Sequence, residues 1–108
     1  MGKGDYLGEF ELVVLLSLAR LGDDAYGMTI RMEIERQTRR DVSIGAIYAT
    51  LRRLERKGFI GSRLGSPTAA RGGRAKRYFR LEDAGARALE RSRDMFARLW
   101  SGLPETLE

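Results

Sequence analysis

The sequence of 108 residues contains no cysteine and no histidine. Without cysteine there is no disulfide, no thiol nucleophile and no Cys-ligated zinc. Without histidine the usual general base at neutral pH and the commonest transition-metal ligand are both missing. No run reaches the roughly 18 consecutive apolar residues that a membrane-spanning helix needs. Met1-Gly2-Lys3-Gly4-Asp5-Tyr6 has neither a signal-peptide hydrophobic region nor a complete myristoylation pattern. The expectation is a cytoplasmic chain without membrane contact, cofactor, metal or catalytic residues. Only a carboxylate-based site stays open to an enzyme.

One domain is expected at this length, near the lower end of what carries its own core. The net charge is +5, and its distribution says more than its size. From Ser43 to Arg80 there are ten Lys/Arg against a single acid, Glu55, a local charge of +9. The rest of the chain holds ten basic and fourteen acidic residues, or −4. A solvated face also collects charge, but a basic excess this local is the footprint of a polyanion partner.

The stretch from Ser43 to Gly58 has Ile47, Leu51 and Leu54 at helical spacing, which marks an inward face. Ser43 suits the N-cap, where its hydroxyl accepts an orphan N–H. Gly58 suits the left-handed position after a helix. The outer face carries small residues early (Gly45, Ala49) and arginines later (Arg52, Arg53, Arg56). A solvated surface helix with arginines for solubility is the alternative, although such a helix usually carries longer polar side chains along its whole outer face. A helix trimmed at its front and cationic behind fits a major groove bordered by phosphate.

Before it, Leu7 to Leu21 reads as a first helix, apolar around nearly its whole circumference. Such a helix is buried on more than one side, either centrally in its own domain or between two subunits. Gly22-Asp23-Asp24 breaks the chain, with Asp24 as a candidate cap. A second helix from Ala25 to Arg39 turns Tyr26, Ile30, Ile34 and Met28 inward. A short turn at Arg40-Asp41-Val42 then completes a helix-turn-helix. Phe59 to Leu64 and Ala75 to Leu81 read as two strands of a hairpin. Between them Ser66 to Arg74 is a basic, glycine-bearing tip: a wing able to meet phosphate or a minor groove.

Glu82 to Gly102 reads as the last helix, with Ala88, Leu89, Ser92, Met95, Phe96, Leu99 and Trp100 in one stripe. The stripe runs past what three helices and a wing could cover. Pairing with the first helix of another protomer through Phe10, Val14, Met95, Phe96, Leu99 and Trp100 would cover it in a C2 homodimer. Burial against the chain's own core is the alternative. The fold class is mainly α with a two-stranded wing. Residues 1–81 form a winged helix-turn-helix DNA-binding domain, and residues 82–108 a dimerisation helix and tail.

Three ordered blocks carry a resemblance over essentially the whole chain. They are Tyr26-Gly27-Met28-Thr29-Ile30; Gly45-Ala46-Ile47-Tyr48 with Leu51, Leu54-Glu55 and Gly58; and Gly72 to Leu81 followed by Gly85. The sequence resembles the winged-helix PadR family of bacterial transcriptional regulators. Ala46 stands where that family often has Ser or Thr, which removes one polar contact. Phe79 replaces a frequent Tyr, and Glu82 a capping Thr, leaving Asp83 to start the last helix. The resemblance implies a homodimeric, usually repressing regulator that binds a palindromic operator and is released by a small ligand. The single C-terminal helix resembles the short subfamily, in some members of which aromatic cationic drugs enter an apolar pocket between subunits. Phe96 and Trp100 would then line either a pocket for a small aromatic or hydrophobic effector, or a packed dimer core.

On this reading Ser43, Gly45, Ala46, Tyr48, Ala49, Arg52 and Arg53 face double-stranded DNA. Arg71, Arg74, Lys76 and Arg77 would hold the flanking backbone. Arg52 is the candidate base reader, since Arg suits bidentate contact with guanine. A protein-interaction module with an acidic partner is the competing reading. Double-stranded RNA would waste a helix trimmed for the major groove. A carboxylate hydrolase on Glu33 and Glu35 fails because residues two apart do not share a helix face.

Overall fold

The computed structural model describes residues 6–66 and 75–105. Three helices come first: α1 (Glu9–Leu21), α2 (Gly27–Thr38) and α3 (Ile44–Arg56). A hairpin of β1 (Ile60–Leu64) and β2 (Arg77–Leu81) follows, and α4 (Asp83–Trp100) closes the chain. This is the expected helical architecture with a two-stranded wing, its element boundaries moved by one or two residues.

Local chemistry sets those boundaries. The Gly8 N–H donates to Glu11 Oε1 at 3.0 Å, which starts α1 two residues later than its apolar pattern suggests. A 3-10 turn at Gly22–Asp24 separates α1 from α2. Asp24 does not cap α2. Tyr26 is the N-cap, its N–H donating to Thr29 Oγ1 at 2.9 Å, while the Thr29 hydroxyl donates to the Asp24 carbonyl. Arg39 ends α2 in the left-handed region at φ 60°. Ser43 Oγ accepts the Ala46 N–H at 3.0 Å and caps α3 as expected. At the other end the Phe59 N–H reaches the Leu54 carbonyl and the Gly58 N–H reaches that of Glu55, both at 3.0 Å. This is a Schellman motif, and Gly58 at φ 79° makes it possible.

The core joins Val14, Leu15 and Leu18 of α1 to Ile30 and Ile34 of α2 and to Ile47, Leu51 and Leu54 of α3. Phe59, Ile60 and Phe79 close it from the wing, and Ala88 from α4. Each of the large aliphatic side chains contributes about 1.5–3 kcal/mol by leaving water. Met28 was expected inward but is exposed, because Ile30 and Ile34 already fill the α2 seam. The strands pair antiparallel with Ser62 opposite Phe79 and Arg63 opposite Tyr78. The Phe79 N–H donates to the Ala25 carbonyl at 2.8 Å, which ties the wing to the segment before α2.

Glu82, not Asp83, is the α4 N-cap, and its side chain makes no capping bond. Only Gly85, Ala88 and Ser92 of α4 are buried. Gly85 lies so close to the Phe59 carbonyl that a Cβ would collide with it. The first half of α4 thus shares the core of the preceding elements, while the second half projects from the body.

Candidate nucleic-acid interface

The outer face of α3 begins with Ser43, Gly45 and Ala46 exposed, and Ala49 is half-buried one turn on. No long side chain keeps another surface away from the helix backbone there. Tyr48 is also exposed, but its ring rests on the backbone of Gly27, where a Cβ would collide with the phenol. Behind them comes Arg52, which no hydrogen bond or ion pair holds among the described residues.

Tyr48, Arg52, Glu55, Ser62 and Arg77 line a groove of about 320 Å³ between α3 and the wing. Arg77 Nη1 donates to Ser62 Oγ at 3.1 Å, and Ser62 Oγ donates to Glu55 Oε2 at 2.9 Å. The only acid of the basic segment is therefore taken up in orienting the wing. Lys76 immediately precedes β2, on the loop side of the hairpin, with its Nζ 4.4 Å from the Tyr26 ring centroid. Arg71 and Arg74, expected at the wing tip, fall outside the described residues.

Arg53 is exposed as well, but it has partners within the chain. Successive helix residues are about 100° apart, so Arg52 and Arg53 cannot share one line of contact. Arg53 Nη2 donates to Thr50 Oγ1 at 3.1 Å, and its Nε lies 3.7 Å from Glu11 Oε2. Lys57 Nζ also donates to Glu11 Oε2, at 2.9 Å. Burial would raise the Glu11 pKa, but the Gly8 N–H, Lys57 and Arg53 outweigh it and hold the carboxyl below its ordinary value of 4.5. Glu33 is likewise lowered, by the Arg20 hydrogen bond first and then by that of Gln37, against burial, with Arg36 adding to the effect. Its oxygens accept hydrogen bonds from Arg20, Arg36 and Gln37.

A second surface lies between α1 and α4. Leu12, Leu16, Leu89, Ser92 and Phe96 line a groove of about 370 Å³ between α1 and α4, with Glu90 and Arg93 on its rim. Phe96, Leu99 and Trp100 are exposed, and Met95 is half-buried. Two expected members of this face lie elsewhere. Val14 is fully buried in the chain's own core and cannot meet a second subunit. Phe10 is half-buried beneath the Arg40 guanidinium, 5.6 Å from its ring centroid. Leu12 and Leu16 take their place. Leu12 and Leu16, four residues apart, share a face of α1 beside the one that Leu15 and Leu18 turn to the core.

The family description "Transcriptional regulator PadR-like family" matches residues 14–91, well over half of the chain. The chain belongs to that family. A PadR-like protein is a DNA-binding transcriptional regulator. Among solved structures, a PadR family regulator from Clostridium difficile is 21% identical, with a TM-score of 0.75 over 94% of this chain and 100% of that one. A PadR-like transcription factor from Bacteroides fragilis is 21% identical with a TM-score of 0.70, covering 83% of this chain and 82% of that one. A transcriptional regulator from Clostridium thermocellum is 24% identical with a TM-score of 0.68, again over 83% and 82%. At such identity these likenesses establish the fold. No relative among curated proteins matches the sequence. In this PadR-like chain the family match ends at Arg91, so Phe96, Leu99 and Trp100 lie beyond it. No helix among the described residues is long and apolar enough to cross a membrane.

Proposed function

We propose that this PadR-like chain is a cytoplasmic, sequence-specific repressor that acts as a homodimer on a palindromic operator. The observation that carries the reading is the α3 surface. Its front is trimmed to Ser43, Gly45 and Ala46, and Arg52, without a partner among the described residues, stands behind, beside Arg77 of the wing. Ser43, Gly45, Ala46, Tyr48 and Ala49 approach the bases, and Arg52 reads guanine. Lys76 and Arg77 hold the flanking backbone, together with Arg71 and Arg74 of the wing tip. Two such helices enter successive major grooves with centres about 34–36 Å apart. Residues 82–108 supply the dimer contact, and the α1–α4 groove takes the partner's helix or a small aromatic effector that releases the DNA.

Fluorescence anisotropy with the chain's own promoter duplex, against a scrambled duplex over a salt series, tests this. The promoter duplex should hold its advantage at physiological salt. Arg52→Ala should lose about 1–3 kcal/mol and discriminate less at one base pair. Equal affinity for both duplexes, collapsing together as salt rises, would instead favour a winged-helix module for an acidic partner.

A further inference from the structure

The loop-side end of the hairpin holds an arrangement of which only Lys76 belongs to the DNA-facing set. Tyr26 and Tyr78 meet edge to face, with ring centroids 5.4 Å apart. Each ring carries a cation. Lys76 Nζ lies 4.4 Å from the Tyr26 centroid and donates to the Tyr26 hydroxyl at 3.3 Å, and the Arg63 guanidinium lies 4.9 Å from the Tyr78 centroid. Tyr26 is fixed independently of this contact, because it caps α2 through its backbone N–H and Thr29. Its neighbour Gly27 is the surface on which Tyr48 of α3 rests. Two adjacent residues at the start of α2 thus hold both DNA-contacting elements, Tyr26 the wing and Gly27 the recognition helix.

We propose that Tyr26 is a positioning residue of the DNA interface, whose ring holds Lys76 at the angle to α3 at which both meet one duplex. A lysine free in water loses rotamer freedom on binding phosphate. One already laid on a ring has lost part of it, and its ammonium keeps donors for the phosphate. The proposal rests on the DNA-binding reading of this surface. It assigns Tyr26 no contact with DNA.

The test compares Tyr26→Leu, Tyr26→Phe, Lys76→Ala and the Tyr26→Leu/Lys76→Ala double variant on one duplex over a salt series, each well below its melting temperature. Tyr26→Leu leaves the backbone cap in place and should bind about three- to ten-fold more weakly, the span that an exposed cation–π contact supports. Its salt dependence should flatten as that of Lys76→Ala does. Tyr26→Phe keeps the ring and should stay within about two-fold of wild type. With Lys76 already replaced, Tyr26→Leu should have almost no further effect. Equal losses with and without Lys76, at an unchanged salt slope, would make Tyr26 a scaffold residue and overturn the inference. A second readout needs no DNA. The Lys76 ε-methylene protons should be shifted upfield by the Tyr26 ring in wild type and Tyr26→Phe, and not in Tyr26→Leu. No shift in wild type would overturn the inference even if DNA binds as proposed. A wild-type chain that holds no duplex at low salt would sink the DNA reading, and this inference with it.

Discussion

Gly27 and Gly85 both stand where a methyl group would collide, yet the consequences differ because the obstacles differ. At Gly27 the obstacle is the phenol end of Tyr48, an exposed side chain that can swing into water. At Gly85 it is the Phe59 carbonyl, which already accepts the Glu82 N–H at 3.0 Å and cannot give way. Gly85→Ala should therefore destabilise the protein by about 1–3 kcal/mol or more, read from urea denaturation. Gly27→Ala should cost under about 1 kcal/mol, since the added methyl also favours the helix, while weakening DNA binding as much as Tyr48→Ala does. A large stability loss at Gly27 would mean that Tyr48 is pinned. Both glycines stand out in the sequence as parts of recurrent blocks, and Ser43 and Gly58 could be assigned their caps from residue type alone. The partner each of Gly27 and Gly85 needs is distant in sequence, and no local pattern encodes it.

Between elements, Glu11 ties α1 to the end of α3 through Lys57 and Arg53. A carboxylate whose folded pKa is depressed contributes stability above its unfolded pKa and loses it as pH falls through the folded value. The contribution of Glu11 is thus complete above its ordinary 4.5 and fades below it. Glu11→Gln should cost about 1–2 kcal/mol at neutral pH, because Lys57 is partly exposed and can turn to water. It should also leave less acid sensitivity in thermal melts between neutral pH and pH of about 3. A melting curve that loses the same stability on acidification with and without Glu11 would place the sensitivity elsewhere, Glu33 being the other lowered carboxyl. The same contact gives Arg53 a partner that the sequence does not reveal. Ile47, Leu51 and Leu54 fix which face of α3 is buried. Nothing in their spacing shows that a buried acid on α1 waits beside position 53. Periodicity located the elements well, whereas ion pairs across elements had no signature.

At the scale of the molecule, α4 is the feature one chain cannot account for. Its eighteen residues span about 27 Å, and after Ser92 none is buried. The extents of the chain, 57 × 31 × 21 Å, reflect that projection. A helix end holds in water chiefly by packing its apolar stripe, and Phe96, Leu99 and Trp100 are 44%, 65% and 62% exposed. The α1–α4 groove beside them is lined mainly by apolar side chains, Leu12, Leu16, Leu89 and Phe96. A C2 partner would cover both at once and set two recognition helices on one duplex. Leu99→Asp places a charge in that contact and should give a monomer by sedimentation equilibrium, with a Tm that no longer rises with concentration. Its affinity for the proposed palindromic operator should fall by about 100-fold or more, towards that of a single half-site. Trp100 is the only tryptophan, so its emission reports the same event. Dilution of wild type should shift it to the red as the helices part, and Leu99→Asp should already be red-shifted at every concentration. A wild-type chain that sediments as a monomer, or a Leu99→Asp variant that stays dimeric, would move the partner contact off α4.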